Sequence, residues 1–138
     1  MNINYTAIIV ATIIQFVVGF IWYGPIFGKL WGEIHGFNKL PKAVQEKMMK
    51  AMGPFYLLQL LVTVLASVVL YILLVSLPEW NVFVLAGLVW LGFTLPAQVS
   101  AIIFGGTEAK WIVPKIAVQA AGALVCLSAA AFVLNLFR

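Results

Sequence analysis

Polar residues are so sparse along this 138-residue chain that its pattern is set by where the apolar runs stop. Predominantly apolar runs extend from about Tyr5 to Tyr23, Phe55 to Leu77, Val82 to Phe104 and Trp111 to Phe137. Each approaches or exceeds the roughly 20 residues that a helix needs to cross a hydrocarbon core of about 30 Å. None shows the period-two alternation, in blocks of about ten residues, that a membrane-spanning barrel strand carries. Lipid admits only helices and closed barrels, because it offers backbone groups no partner. The pattern predicts an all-α membrane protein, four transmembrane helices in a compact bundle forming one membrane domain over residues 1–138. Gly24-Pro25 is expected to end the first span, Pro78 the second and Gly105-Gly106 the third. Proline disfavours helix at the residue before it, and glycine frees the backbone to turn.

The one long interruption runs from Trp22 to Pro54. Within it, residues 41–52 (PKAVQEKMMKAM) place Val44, Met48, Ala51, Met52 and the following Phe55 on one helical face, with Lys42, Glu46 and Lys50 on the other. This predicts an amphipathic interfacial helix over 41–52 with Pro41 in its first turn. Lys42, Lys47 and Lys50 would then meet anionic lipid headgroups. The preceding PIFGKLWGEIHG has three glycines and is expected to form at most a short interfacial turn or helix.

Composition removes the soluble alternatives. With 64% hydrophobic residues, 9% charged residues and a mean hydropathy of +1.12, a chain this small would expose a large apolar surface to water. The net charge of +4 changes the picture through its placement. The first and third connections share one side of the membrane and hold every lysine: Lys29, Lys39, Lys42, Lys47, Lys50, Lys110 and Lys115. The other side has only Arg138, against Glu79. Lysine and arginine are retained in the cytoplasm, so both termini are expected outside. Such clustering reads as topology rather than nucleic-acid binding. Tyr5 and Trp80 suit an outer aromatic belt, and Trp22, Tyr23, Trp31, Tyr56 and Trp111 an inner one, with Trp90 a mid-span packing residue. The N-terminal run lacks the basic segment of a secretory signal and is read as a retained helix. Cys126 stands alone in an apolar run and is read as a small packing residue.

Polar groups inside spans are where function is sought in a membrane protein. Here the spans carry no carboxylate but one glutamine each: Gln15, Gln59, Gln98 and Gln119. At 1.5 Å rise per residue, Gln98 and Gln119 fall at similar levels, about 7 Å to the cytoplasmic side of the midplane. Gln59 lies slightly further towards the cytoplasm and Gln15 nearer the middle. An amide facing lipid is left unpaired, so all four are expected to point inwards, either as interhelical glue or as the lining of a polar vestibule.

The third connection adds Glu108, Lys110 and Lys115. Lys115 is expected to snorkel or to pair with Glu108 or Glu33. Thr107 is expected to cap the fourth helix, with Glu108 favourably placed at its positive end. Pro96 is expected to loosen the third span near Gln98. His35 is read as a solvated loop residue, since no second ligand stands at metal spacing. No serine or cysteine has a histidine at a motif spacing, and no phosphate loop follows a strand. These readings assign no catalytic residue, metal or cofactor and argue against an enzyme.

Three segments, WYGPIFGKLW, KMMKAMGPFYLLQLLVTVLASVVLYILL and LGFTLPAQVSAIIFGGTEAKW, resemble the small bacterial membrane proteins grouped as domain of unknown function family 1761. The resemblance covers nearly the whole chain and departs at Pro114 and Lys115. It implies a four-helix protein of the bacterial cytoplasmic membrane and brings no activity with it.

Small residues in the fourth span, namely Ala117, Ala120, Ala121, Gly122, Ala123, Ala129, Ala130 and Ala131, suit close helix packing and a homo-oligomer. The expected function is an oligomeric membrane scaffold or lipid-interacting module. The alternative is a small-solute transporter or channel with a glutamine-lined vestibule. Carriers of the small multidrug resistance type rely on a membrane-embedded glutamate, and the comparable position here is Gln15, which exchanges no proton.

Overall fold

The computed structural model of the chain describes residues 2–138. It is helical throughout, with no strand among the described residues. In order come α1 (Tyr5–Ile21), a π-helical turn (Trp22–Ile26), α2 (Gly28–Ile34), a short 3-10 turn (Phe37–Lys39) and α3 (Lys42–Ala51). They are followed by α4 (Gly53–Ser76), α5 (Val82–Val89), a second π-helical turn (Trp90–Thr94), α6 (Leu95–Phe104) and α7 (Ala109–Leu136). Four continuous helices are long and apolar enough to cross a membrane: Tyr5–Ile26, Gly53–Ser76, Val82–Phe104 and Ala109–Leu136.

Two prolines, Pro25 and Pro41, act differently from expectation. Gly24-Pro25 does not end the first span: the Phe27 N–H donates to the Trp22 carbonyl at 2.9 Å. That five-residue closure carries the helix past a proline that has no N–H to contribute. Pro54 lies in the first turn of α4, where its missing donor costs nothing. Pro41 falls at the N-cap of α3, one residue ahead of the first turn. The expected cap on α7 is also absent: the N-cap position is Glu108, not Thr107, and no side chain bonds the free amides there. Asparagines cap two other helices, Asn4 accepting from Ala7 N–H at 3.0 Å and Asn81 from Phe83 N–H at 2.9 Å.

The two π turns share a local sequence. Gly19-Phe20-Ile21-Trp22-Tyr23-Gly24 and Gly87-Leu88-Val89-Trp90-Leu91-Gly92 both read G-x-x-W-x-G, and in each the tryptophan opens the π turn. Trp22 Nε1 donates to the Val118 carbonyl at 2.9 Å and Trp90 Nε1 to the Ala120 carbonyl at 2.8 Å. Two residues along an α-helix are about 200° apart around its axis, so α7 is gripped from opposite sides. Trp22 is thus a packing residue, not a belt residue, and Trp90 is a packing residue with a bonded indole.

Helices converge most tightly at the end that carries the termini. Ala7, Ile8 and Ala11 of α1, Leu70, Tyr71 and Leu74 of α4, Val82, Leu85 and Ala86 of α5, and Ala130, Ala131 and Leu134 of α7 form one buried cluster. Lipid tails are as apolar as leucine, so contact here is driven by close packing, which the alanines allow. Tyr71 Oη donates to the Asn2 carbonyl at 3.3 Å, and Arg138 donates to the carbonyls of Leu74 (2.6 Å) and Trp80 (3.3 Å), closing the free end of α4. At the opposite end, which holds the first and third connections, α4 stands away from the other spans. Every residue from 53 to 62 is exposed. On α7, Ala120, Gly122, Ala130 and Ala131 are buried against the chain's own helices.

Candidate functional site

The four glutamines do different things. Gln15 Nε2 donates to Ser67 Oγ at 2.9 Å and to its own Ala11 carbonyl at 3.3 Å. Thr12 Oγ1 lies 3.2 Å from the same Ser67 Oγ and 2.8 Å from the Ile8 carbonyl, and Ser67 Oγ donates to the Thr63 carbonyl at 3.0 Å. Thr12, Thr63 and Ser67 are buried. They join α1 to α4 through a polar seam of satisfied hydroxyls, as buried polar groups in lipid require.

Gln59 sits on the bare stretch of α4 and donates to Thr63 Oγ1 of its own helix at 3.2 Å. Gln98 is half-buried on α6, its Oε1 wholly enclosed and without a partner, and Gln119 is half-buried on α7. No hydrogen bond joins any two of the four among the described residues. Sequence reasoning missed Thr12, Thr63 and Ser67. Their signal was the i, i+4 spacing of Gln59, Thr63 and Ser67, which lays three polar groups along one stripe of α4.

Two cavities stand out. One, of about 550 Å³, is an open apolar groove between α5 and α7 lined by Phe83, Leu124, Val125, Ser128, Ala129 and Phe132. The other, of about 620 Å³, is polar and lies at the connection end, where α2 and the turn after it face the α6–α7 turn. Glu33, His35 and Lys39 line it from one side and Glu108, Lys110 and Lys115 from the other. The cytoplasmic-turn residues picked out from the sequence are therefore brought together with the lone histidine. Lys42, Lys47 and Lys50 lie apart from the cleft on α3, each exposed.

Local backbone explains the cleft's shape. Each wall turns on a left-handed glycine, Gly36 (φ 69°) and Gly106 (φ 80°), a conformation that strains other residues. Gly32 leaves room for Asn38 to fold across α2, where Asn38 Nδ2 donates to the Lys29 carbonyl at 3.0 Å.

An aromatic column backs this wall: Trp31 packs edge-on to Tyr23 at 4.8 Å between centroids and against His35 at 4.5 Å. His35 Nδ1 is 2.8 Å from the Trp31 carbonyl. In the neutral ring Nδ1 is therefore the protonated nitrogen, with Nε2 left as an acceptor.

Charges divide unequally. Glu108 pairs with Lys110 at 3.4 Å, both side chains 67% or more exposed, so the pair contributes little to stability. Lys115 pairs with neither Glu108 nor Glu33. Its Nζ lies 5.8 Å from the Trp31 ring centroid, a cation–π contact, and the residue is half-buried. Lys110 Nζ stands 5.7 Å from the Trp111 ring.

Residues 6–135 match the family described as "Protein of unknown function (DUF1761)". No curated protein and no solved structure matches the chain.

Proposed function

We propose that this chain, which belongs to the DUF1761 family of proteins of unknown function, is a membrane scaffold that associates with further copies of itself in the plane of the bilayer. The observation that carries this is the contrast between the two halves of α4. The terminal half is tied into the fold by Ser67, Leu70, Tyr71 and Leu74, while residues 53–62 are bare around the whole helix. Lipid can cover leucines, but it offers no donor to the free oxygen of the Gln59 amide, whereas a second copy can. The closed stripe on α7, whose most buried small residues already serve packing within the chain, supports α4 as the assembly face.

The assembly is tested by disulfide cross-linking in membranes after Cys126→Ala. Val62→Cys is expected to give covalent dimers and Val113→Cys, exposed on α7, is expected to give none. Equal or absent cross-linking at both positions would remove the scaffold reading.

A solute carrier is the second reading, favoured by the enclosed and unpartnered Gln98 Oε1. It requires uptake of a polar solute by liposomes that contain the protein, lost in Gln98→Leu. Such uptake without cross-linking at position 62 replaces the scaffold with a carrier.

The lysine bias supports a cytoplasmic position for the connection end and an outside position for both termini. Exposed Val44 and Met48 on α3, with Met52 at its C-cap, support an interfacial helix whose lysines meet anionic headgroups. In intact cells, with Cys126 replaced, a cysteine at position 42 is expected to resist an impermeant thiol reagent and one at position 81 to react. The reverse pattern inverts the topology.

A further inference from the structure

Lys115 is the least ordinary charge in the molecule. It lies six residues inside α7, about 9 Å along the helix from Ala109, and is half-buried. The nearby Glu108 is engaged with Lys110, and no carboxylate lies within ion-pair distance of Lys115 among the described residues. Among the described residues its contact is an aromatic face, that of Trp31. A half-buried lysine with no carboxylate at ion-pair distance, lining a polar cleft, is a position where an anion gains, because partial burial weakens solvent screening.

The remaining lining matches one kind of anion. Three lysines stand against two carboxylates, Glu33 and Glu108: Lys110 is held by Glu108, Lys39 adds an exposed cation, Thr107 adds a hydroxyl, and the lining includes the start of α7, whose first amides no side chain among the described residues caps. Phosphate has enough acceptor oxygens to engage several such donors at once, and lysines bind it as point charges. The cleft's volume of about 620 Å³ exceeds the phosphate itself, leaving room for a small polyol, with Trp111 in the lining to pack against it.

We propose that the cleft between α2 and the α6–α7 turn binds a phosphate ester, with Lys115 at its floor and Lys39 and Lys110 at its rim. Two sources present that chemistry at this level of the protein: the phosphodiester headgroup of an anionic phospholipid, and a soluble phosphomonoester.

The test uses the full chain in nanodiscs. One arm measures retention of phosphatidylglycerol over phosphatidylcholine by native mass spectrometry, from discs containing both. The other measures binding of labelled glycerol 3-phosphate to discs of phosphatidylcholine alone. Binding in the first arm alone identifies a lipid headgroup, and binding in the second identifies a soluble ester. In whichever arm is positive, Lys115→Met is expected to weaken binding by about tenfold or more, since each lysine near an anionic surface contributes on the order of a factor of five even without burial.

The Lys39→Gln, Lys110→Gln double variant alters only exposed side chains and is expected to weaken binding comparably, whether or not Lys115→Met folds. Lys29→Gln, on α2 but outside the cleft, is expected to bind as the unmodified protein does. No binding in either arm overturns the site. So does full affinity in the double variant, or a loss in Lys29→Gln as large as in the double variant.

Discussion

Replacing Gly122 by alanine is expected to destabilise the protein by about 1–3 kcal/mol, the range for forcing extra volume into a packed contact. A Cβ at this position would stand 2.6 Å from Trp22 Nε1 and 2.8 Å from its Cδ1. The indole has little freedom to yield. Its N–H is bonded to the Val118 carbonyl at 2.9 Å, and its ring lies against Phe27 at 4.7 Å. Displacing it would also sacrifice that bond, worth about 0.6–2 kcal/mol between membrane helices. Gly87 provides the comparison, because a Cβ there meets nothing within 4 Å. Gly87→Ala is expected to be neutral or to stabilise by up to about 1 kcal/mol through helix propensity. Unfolding in mixed detergent, followed by circular dichroism, measures both. Equal effects at the two glycines would mean that Trp22 does not fix α7.

Four helices long and apolar enough to cross a membrane were legible because lipid demands long uninterrupted apolar runs, and little else produces them. The behaviour of the prolines was less so. Pro25 looks like a terminator in isolation, yet a π turn spans it. The tryptophan that opens that turn bonds a tertiary partner, the Val118 carbonyl, 96 positions away. The recurring G-x-x-W-x-G was readable in the sequence as a repeat, and it marks both π turns.

The glutamines were found but not their partners. A hydroxyl such as Ser67 can satisfy its own helix, so only the approach of α1 reveals that it also bridges to Gln15. The cleft was half legible: Glu108, Lys110 and Lys115 stood out as one turn. Their meeting with Glu33, His35 and Lys39 depends on how α2 folds back, which no spacing encodes. The expected carboxylate partner for Lys115 failed for a local reason, since Lys110 is closer to Glu108 in the chain and takes it.

The polar seam makes the second large effect. Ser67 is fully buried and receives the Gln15 amide and the Thr12 hydroxyl, so Ser67→Leu both removes an acceptor and adds volume where none is free. A loss of about 2–4 kcal/mol is expected, combining overpacking with a broken interhelical bond. Ser67→Ala isolates the bond alone. Its cost should fall near the low end of about 0.6–2 kcal/mol, because Thr12 retains the Ile8 carbonyl and Gln15 the Ala11 carbonyl. Gln15→Leu should cost a similar amount, and Ser67→Ala with Gln15→Leu less than the two together, since removing both partners strands neither. Gln59→Leu is expected to cost much less than Gln15→Leu in dilute detergent, because its bond lies within one exposed helix. The same unfolding measurement decides the order. Strict additivity of Ser67→Ala and Gln15→Leu would mean that the seam does not hold α1 to α4, and equal costs at Gln15 and Gln59 would mean that burial does not distinguish the two amides.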